Sequence, residues 1–197
     1  MHLRDMVIAS GNKGKFVEFR DLLSPLGIEL HFGKDMSDLD VEETGSSFLE
    51  NATLKAGAWA SHAKMAALAD DSGIEVEALD GRPGIYSARM GADERSCRDW
   101  LLNELQGVEN RKARYTAALV LALPDGGIWS TEEYCYGTVA VEPRGENGFG
   151  YDPIFIPEGY DVTFGELDGS IKSSISHRAK ASRNFIKWLA EGGNMVK

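Results

Sequence analysis

An α/β fold is what this sequence predicts, and three observations predict it. Short apolar runs alternate with amphipathic helical stretches along the chain. The first such run, "MVIAS", passes through a glycine-containing loop directly into a helical pattern, giving strand, loop, helix. Further on, "ARYTAALVLALPDGGIWSTEEYCYGTVAVEP" reads as two or three antiparallel strands joined at "PDGG". A chain of 197 residues with 43% hydrophobic content can bury one sizeable core, or two lobes sharing a sheet. No Ser/Pro-rich linker or charge block marks a boundary, so a single domain over residues 1–197 is expected.

Each element has a local reason. After the first strand, "FVEFRDLLSPLG" places Phe16, Phe19, Leu22 and Leu23 at helical spacing and is stopped by Pro25 and Gly27. "IELHFG" is a second strand, followed by an acidic loop, "KDMSDLDVEETG". Ser47 with Glu50 three residues later is a capping-box signature, opening an Ala-rich helix that runs to about Met65. "LADDSGIEVEAL" reads as a turn feeding an alternating strand, "RPGIYSARMG" as a loop and "RSCRDWLLNELQ" as a helix. The last helix is expected from about Ile175 to Glu191, with "SHR" in its first turns.

The bulk properties exclude several partners. A net charge of −10 repels polyanions, which argues against a nucleic acid polymer or an anionic membrane. The start is too short for a signal-peptide apolar region, and the longest apolar run, "AALVLAL", cannot span a bilayer. Cys97 and Cys135 lack metal-ligand spacing and read as reduced thiols, which points to a cytoplasmic protein. His2, His31 and His62 have no sequence partner and are assigned no role.

What remains is anion and cation chemistry. "SGNKGK", Ser10 to Lys15, lies between a strand and a helix, where free backbone N–H groups and the helix dipole favour a phosphate. It is not a P-loop, because the glycines are too close and Phe16 stands where a hydroxyl is needed. Two acidic doublets, Glu42-Glu43 and Asp70-Asp71, can supply the one or two carboxylates that Mg²⁺ takes alongside water and phosphate oxygens. Asn51 and Lys55 share a helix face that starts beside Glu43. In "KSSISHR", Lys172, His177 and Arg178 gather near a helix start, where the dipole disfavours cations and an anion or a base edge would compensate them. In "ENGFGYDPIF", glycines flank Phe149, so that a flat ring on an open loop can stack on a flat ligand. Singly, each has a plainer reading: a Gly-Asn turn with solvated lysines, an Asx turn, a surface lysine paired with Glu50 or Asn51, a snorkelling surface helix. Together they point to Mg²⁺-dependent chemistry on a nucleotide phosphate chain.

"SGNKGK", "EETGSSFLENATLKA", "ADDSGIEVEALDGRPGIYSAR", "GENGFGYDPIF" and "KSSISHR" follow one another in the order and spacing of the inosine triphosphate pyrophosphatase family, which the chain resembles from Met6 to about Leu189. The resemblance implies an elongated, two-lobed α/β fold around a long, mixed, bent sheet, with the active site in the cleft between lobes, and a homodimer. It implies Mg²⁺-dependent hydrolysis of deaminated purine nucleoside triphosphates (dITP, ITP, XTP) to the monophosphate and pyrophosphate. It makes Ser10, Gly11, Asn12, Lys13, Gly14 and Lys15 the triphosphate loop, and Glu43 and Asp71 the metal ligands. Asp71 is also the implied general base, and Lys55 meets the phosphates. Ser72 contacts substrate, Phe149, Gly150, Tyr151 and Asp152 form the base-binding loop, and Lys172, His177 and Arg178 close over the nucleotide. Arg178 is the first candidate to donate to the purine C6 oxygen, because its fork cannot become an acceptor. Ser10 stands where many members carry Thr, which preserves the hydroxyl. The alternatives are a pyrophosphatase of the same architecture for other modified nucleotides, and a nucleotide sensor that does not hydrolyse.

Overall fold

The computed structural model describes residues 3–195, so His2 lies outside the described residues. Six strands form one mixed sheet in the order β2-β1-β3-β4-β5-β6. They are β1 (Asp5–Ile8), β2 (Glu29–Phe32), β3 (Ala67–Val76), β4 (Lys112–Ala122), β5 (Ile128–Val139) and β6 (Phe155–Pro157). β1 runs parallel to both β2 and β3, whereas β5 and β6 are antiparallel. The helices are α1 (Lys13–Leu23), α2 (Gly33–Met36), α3 (Phe48–Ala63), α4 (Glu94–Glu104), α5 (Gly169–Ile175) and α6 (His177–Ala190). The α/β class expected from the sequence is found.

The chain divides into two compact units, the first made of Met1–Asp71, Ala117–Glu133 and Arg178–Lys197, the second of Ser72–Thr116 and Tyr134–His177. In the first unit the expected β1-α1-β2 segment closes as a parallel crossover, and Met6, Ile8, Phe19, Leu23, Leu68, Leu119, Leu121 and Phe185 make its core. β1 is buried on both sides, which explains its uninterrupted apolar run. In the second unit Ile74, Val76, Leu101, Leu105, Tyr115, Val139, Ile154, Phe155 and Phe164 pack together. Cys97 and Cys135 are free and buried within this second core. Among the described residues no helix is long and apolar enough to cross a membrane.

Three expectations need correction. Asp70-Asp71 is not a turn ahead of an alternating strand, because β3 runs straight through both residues and is buried along most of its length. Neighbouring strands satisfy its backbone and lysines meet its carboxylates, which overrides the turn preference of "DDSG". The C-terminal helix does not begin at Ile175. Asp168 caps α5, which ends at Ser176 in an extended conformation (φ −65°, ψ 158°), and α6 starts afresh at His177. A one-turn helix, α2, also interrupts the acidic loop. The three-residue β6 and the seven-residue α5 are too short to leave a periodic signal.

Candidate active site

In the first unit, Ser10, Gly11 and Asn12 bridge β1 to α1. Asn12 caps α1, its side-chain oxygen accepting the Lys15 N–H at 3.0 Å, while its own N–H donates to Ser10 Oγ at 3.1 Å. The first turn of α1 holds no acidic side chain, so Lys13 and Lys15 add to the positive end of the helix. Its donors and its charge are chemically suited to an anion.

Two ammonium groups converge beside β3. Lys15 Nζ lies 2.8 Å from Asp70 Oδ2 and 3.4 Å from the Asp70 main-chain oxygen, and Lys55 Nζ donates to that same oxygen at 3.0 Å. Like charges this close repel, so carboxylates hold them: Asp70 for Lys15, and for Lys55 both Glu43 at 2.7 Å and Asp71 at 2.9 Å. The plainer reading, Lys55 paired with Glu50, does not occur, since Glu50 Oε2 accepts from the Ser46 N–H and hydroxyl. Asn51 donates to Asp71 Oδ2 at 3.4 Å and accepts the Gly45 N–H at 2.8 Å, tying the "EETG" loop to Asp71. A Cβ on Gly45 would come within 2.7 Å of Asn51 Oδ1, so only glycine permits this approach.

Asp70 and Arg178 complete the first unit's network. Arg178, 2% exposed, donates to Asp70 Oδ2 at 3.1 Å and to Glu18 Oε2 at 2.5 Å. Sequence reasoning did not anticipate Glu18, which carries no motif and reaches Arg178 only because α1 and α6 both pack on the first core.

Burial and charge move these groups in opposite directions. Burial alone would raise the Asp70 carboxyl, but Arg178 and Lys15 outweigh it and hold it well below the usual carboxylate range. Burial raises the Asp71 carboxyl more than Lys55 and Lys15 lower it, with Glu43 adding to the rise. Burial lowers the Lys15 ammonium, with Lys55 and Arg178 adding to the fall while Asp70 opposes it. In metal-free protein, carboxyl ¹³C NMR is expected to show Asp71 titrating above the ordinary aspartate value of about 3.9 and Asp70 far below it. The reverse order would mean that the two carboxylates exchange roles.

Glu43 and Asp71 bind one and the same ammonium, so their oxygens already face a common point where a cation sits. Two carboxylates with the remaining coordination left to water and phosphate oxygens fit a hard divalent ion such as Mg²⁺. Among the described residues no cluster of three or more His, Cys, Asp and Glu side chains gathers, so the pair is the metal-binding candidate.

In the second unit, Phe149, Gly150, Tyr151 and Asp152 stand together with Lys172 and His177. Asp152, 2% exposed, takes Lys172 Nζ at 2.5 Å and the Phe149 N–H at 2.8 Å, and Lys172 Nζ lies 4.6 Å from the centre of the Phe149 ring. His177 stacks on Tyr115, centroids 4.6 Å apart and planes 7° from parallel. Tyr115, absent from the sequence-based set, also packs on Phe155 and sends its hydroxyl to within 3.5 Å of Asp152 Oδ1. Lys172 and His177 belong to the second unit and Arg178 to the first, and Asp152, Asp70 and Glu18 compensate the charges. Ser72 follows Asp71 in β3 at the start of the second unit.

The paired ammonium groups of the first unit, with carboxylates beside them, are chemically suited to a multiply charged anion and a cation, and the second unit carries an aromatic loop suited to a flat ligand. The chain belongs to the Ham1 family, whose model matches residues 6–188. Its similarity to named relatives runs nearly end to end. A Synechocystis sp. protein named dITP/XTP pyrophosphatase is 45% identical over 183 residues, covering 92% of this chain and 93% of that one. Another of that name, from Aquifex aeolicus, is 43% identical over 93% of this chain and 96% of its own. Among solved structures, a HAM1 protein from Coxiella burnetii superposes with a TM-score of 0.86 at 36% identity, covering 96% of this chain and all of that one. The resemblance read from the five motifs is borne out.

Proposed function

We propose that this chain hydrolyses deaminated purine nucleoside triphosphates, dITP, ITP and XTP, to the monophosphate and pyrophosphate, with Mg²⁺ as its metal, as one domain over residues 1–197. Relatives named dITP/XTP pyrophosphatase at 40–45% identity support the activity. The observation that carries the chemistry is Lys55 held by Glu43 and Asp71, with Lys15 meeting the same Asp70 carbonyl. The triphosphate takes the α1 start through Ser10 to Lys15, and Glu43 with Asp71 holds the metal. When bound, Mg²⁺ supplies positive charge to the phosphate oxygens. Asp71 orients a water and takes its proton as the water oxygen bonds to the α-phosphorus. The bond from that phosphorus to the bridging oxygen breaks, and pyrophosphate leaves with the bonding pair. Lys15 and Lys55 stabilise the charge that grows on it.

The second unit is assigned to the base. Phe149 stacks on the purine, and donors among Phe149 to Asp152, Lys172 and His177 meet its edge, with Ser72 alongside. A C6 oxygen pairs with a fixed donor, whereas an adenine amino group confronts it unmatched. Arg178, which meets Asp70 and Glu18, is the first candidate to donate to the purine C6 oxygen, because its fork cannot become an acceptor. A homodimer in the cytoplasm is the expected setting.

The test is to incubate the protein with ITP, dITP, XTP, ATP and dTTP plus Mg²⁺ and to separate the products. IMP and pyrophosphate, with ITP and XTP preferred over ATP, are expected. IDP and orthophosphate would shift the attack to the γ-phosphorus and overturn the phosphate register. Binding without turnover would make the chain a sensor.

A further inference from the structure

We propose that Glu94 and Arg98 of α4 are positioning residues for nucleobase selection, because together they clamp both main-chain polar groups of Gly150. The inference rests on assigning the loop from Phe149 to Asp152 to the base. Glu94 Oε2 accepts the Gly150 N–H at 2.8 Å, and Arg98 Nη1 donates to the Gly150 carbonyl at 2.7 Å. Four residues apart, the two side chains project from one face of α4. Everything involved lies within the second unit.

The need for a clamp follows from the loop's composition. Gly148 and Gly150 sit at φ +76° and +61°, conformations that glycine reaches easily and also leaves easily. Phe149 between them is half-buried, with Lys172 Nζ 4.6 Å from the centre of its ring. On one side the loop is held by Asp152, whose carboxylate takes the Phe149 N–H and whose N–H donates to the Phe149 carbonyl at 3.2 Å. Tyr151 is anchored by its hydroxyl on the Ser87 carbonyl at 2.7 Å. Gly150 lies between these two anchors, and its peptide groups are fixed from outside by charged partners, the stronger kind of hydrogen bond. The Phe149–Gly150 peptide is held at its N–H by Glu94 and at its carbonyl by the Asp152 N–H, and the next peptide is held at the Gly150 carbonyl by Arg98, so neither can rotate without breaking a charged hydrogen bond. The ring of Phe149, one residue away, is thereby kept in the position in which it would receive a base, so the cost of ordering it is met before the ligand arrives.

α4 is itself well secured, with Asp93 and Ser96 forming a reciprocal capping box and Leu101 buried in the second core. Glu94 is exposed and Arg98 half-buried, so truncating either leaves that core intact. Two readouts test the clamp. In Glu94→Ala and Arg98→Ala, amide hydrogen exchange at Phe149 and Gly150 is expected to accelerate about tenfold, the size of one lost charge-assisted hydrogen bond, while exchange in β4 stays unchanged. In the same variants KM for ITP is expected to rise about three- to tenfold and the ITP/ATP preference in kcat/KM to shrink, with kcat nearly constant. Inhibition by inorganic tripolyphosphate, which has no base, should not change. Glu94→Gln and Arg98→Lys keep an acceptor and a donor and should recover most of the loss. Unaltered exchange at Gly150 would overturn the clamp. Faster exchange with an unaltered KM and preference would overturn its link to the base, as would an equal weakening of tripolyphosphate. A wild-type protein that does not turn over ITP would instead refute the proposed function, and the exchange measurement would still decide the clamp.

Discussion

Replacing Asp71 by Asn is expected to lower kcat for ITP by a factor of about 10²–10³, the usual consequence of removing a preorganised charge from a reacting centre. The substitution keeps the volume and an acceptor oxygen for Asn51, yet removes a negative charge that Lys55 meets at 2.9 Å and the group proposed to take the water's proton. Glu43→Gln should have a comparable effect by removing the other carboxylate on the same ammonium. Glu43 is 23% exposed, and Asp71→Asn keeps the volume of a buried side chain, so the fold should persist and circular dichroism should be unchanged. If charge at this point is what matters, the two variants will also lose their response to Mg²⁺. An Asp71→Asn enzyme turning over ITP at the wild-type rate with saturating Mg²⁺ would remove Asp71 from the mechanism.

Asp70→Asn, one residue earlier, is expected to act on stability first. Asp70 is 2% exposed and faces two cations, Lys15 at 2.8 Å and Arg178 at 3.1 Å, themselves little exposed. Neutralising it leaves buried positive charge undercompensated, a loss of about 3–5 kcal/mol when one partner of a buried pair is removed. Against the roughly 5–15 kcal/mol available to a domain, that is a large fraction, and urea denaturation at pH 7 should register it. The pH dependence has a definite sign. The folded carboxyl is held below its unfolded value of about 3.9, so its contribution is fully present above that pH and is lost as pH falls toward the folded value. The gap in stability between wild type and variant should therefore narrow below about pH 4. Equal stability at pH 7 would show that Lys15 and Arg178 do not depend on Asp70.

Much of this was legible in the sequence because the signals are local. The spacing of Phe16, Phe19 and Leu23 wrote α1, and Ser47 with Glu50 wrote the start of α3. The cap at Ser47 does form, and Glu50 also accepts from the Ser46 N–H and hydroxyl. Asn51 and Lys55, four apart on α3, were placed beside Glu43 by helical periodicity alone, and Lys55 does meet Glu43. Where a long-range partner decides the outcome, local rules fall short. "DDSG" has turn chemistry, but between β1 and β4 it is strand. "KSSISHR" reads as cations near one helix start, but Ser176 is extended between α5 and α6, and the partners of its cations, Asp152 for Lys172 and Asp70 for Arg178, lie far off in the sequence.

By itself, then, the sequence determined the α/β class, the order of most elements, the absence of an apolar run able to cross a membrane, and the residue types available for phosphate, metal and base. Composition, periodicity and short motifs act over a few residues, and a linear reading captures interactions of that range. The tertiary structure alone decided which charge meets which. It made Lys55 the shared partner of Glu43 and Asp71, set Asp70 against Lys15 and Arg178, stacked His177 on Tyr115, and brought Glu94 and Arg98 to Gly150. Those pairings join residues that the chain keeps 12 to 108 positions apart, and they form only because burying the two apolar cores brings the strands and helices that carry them together.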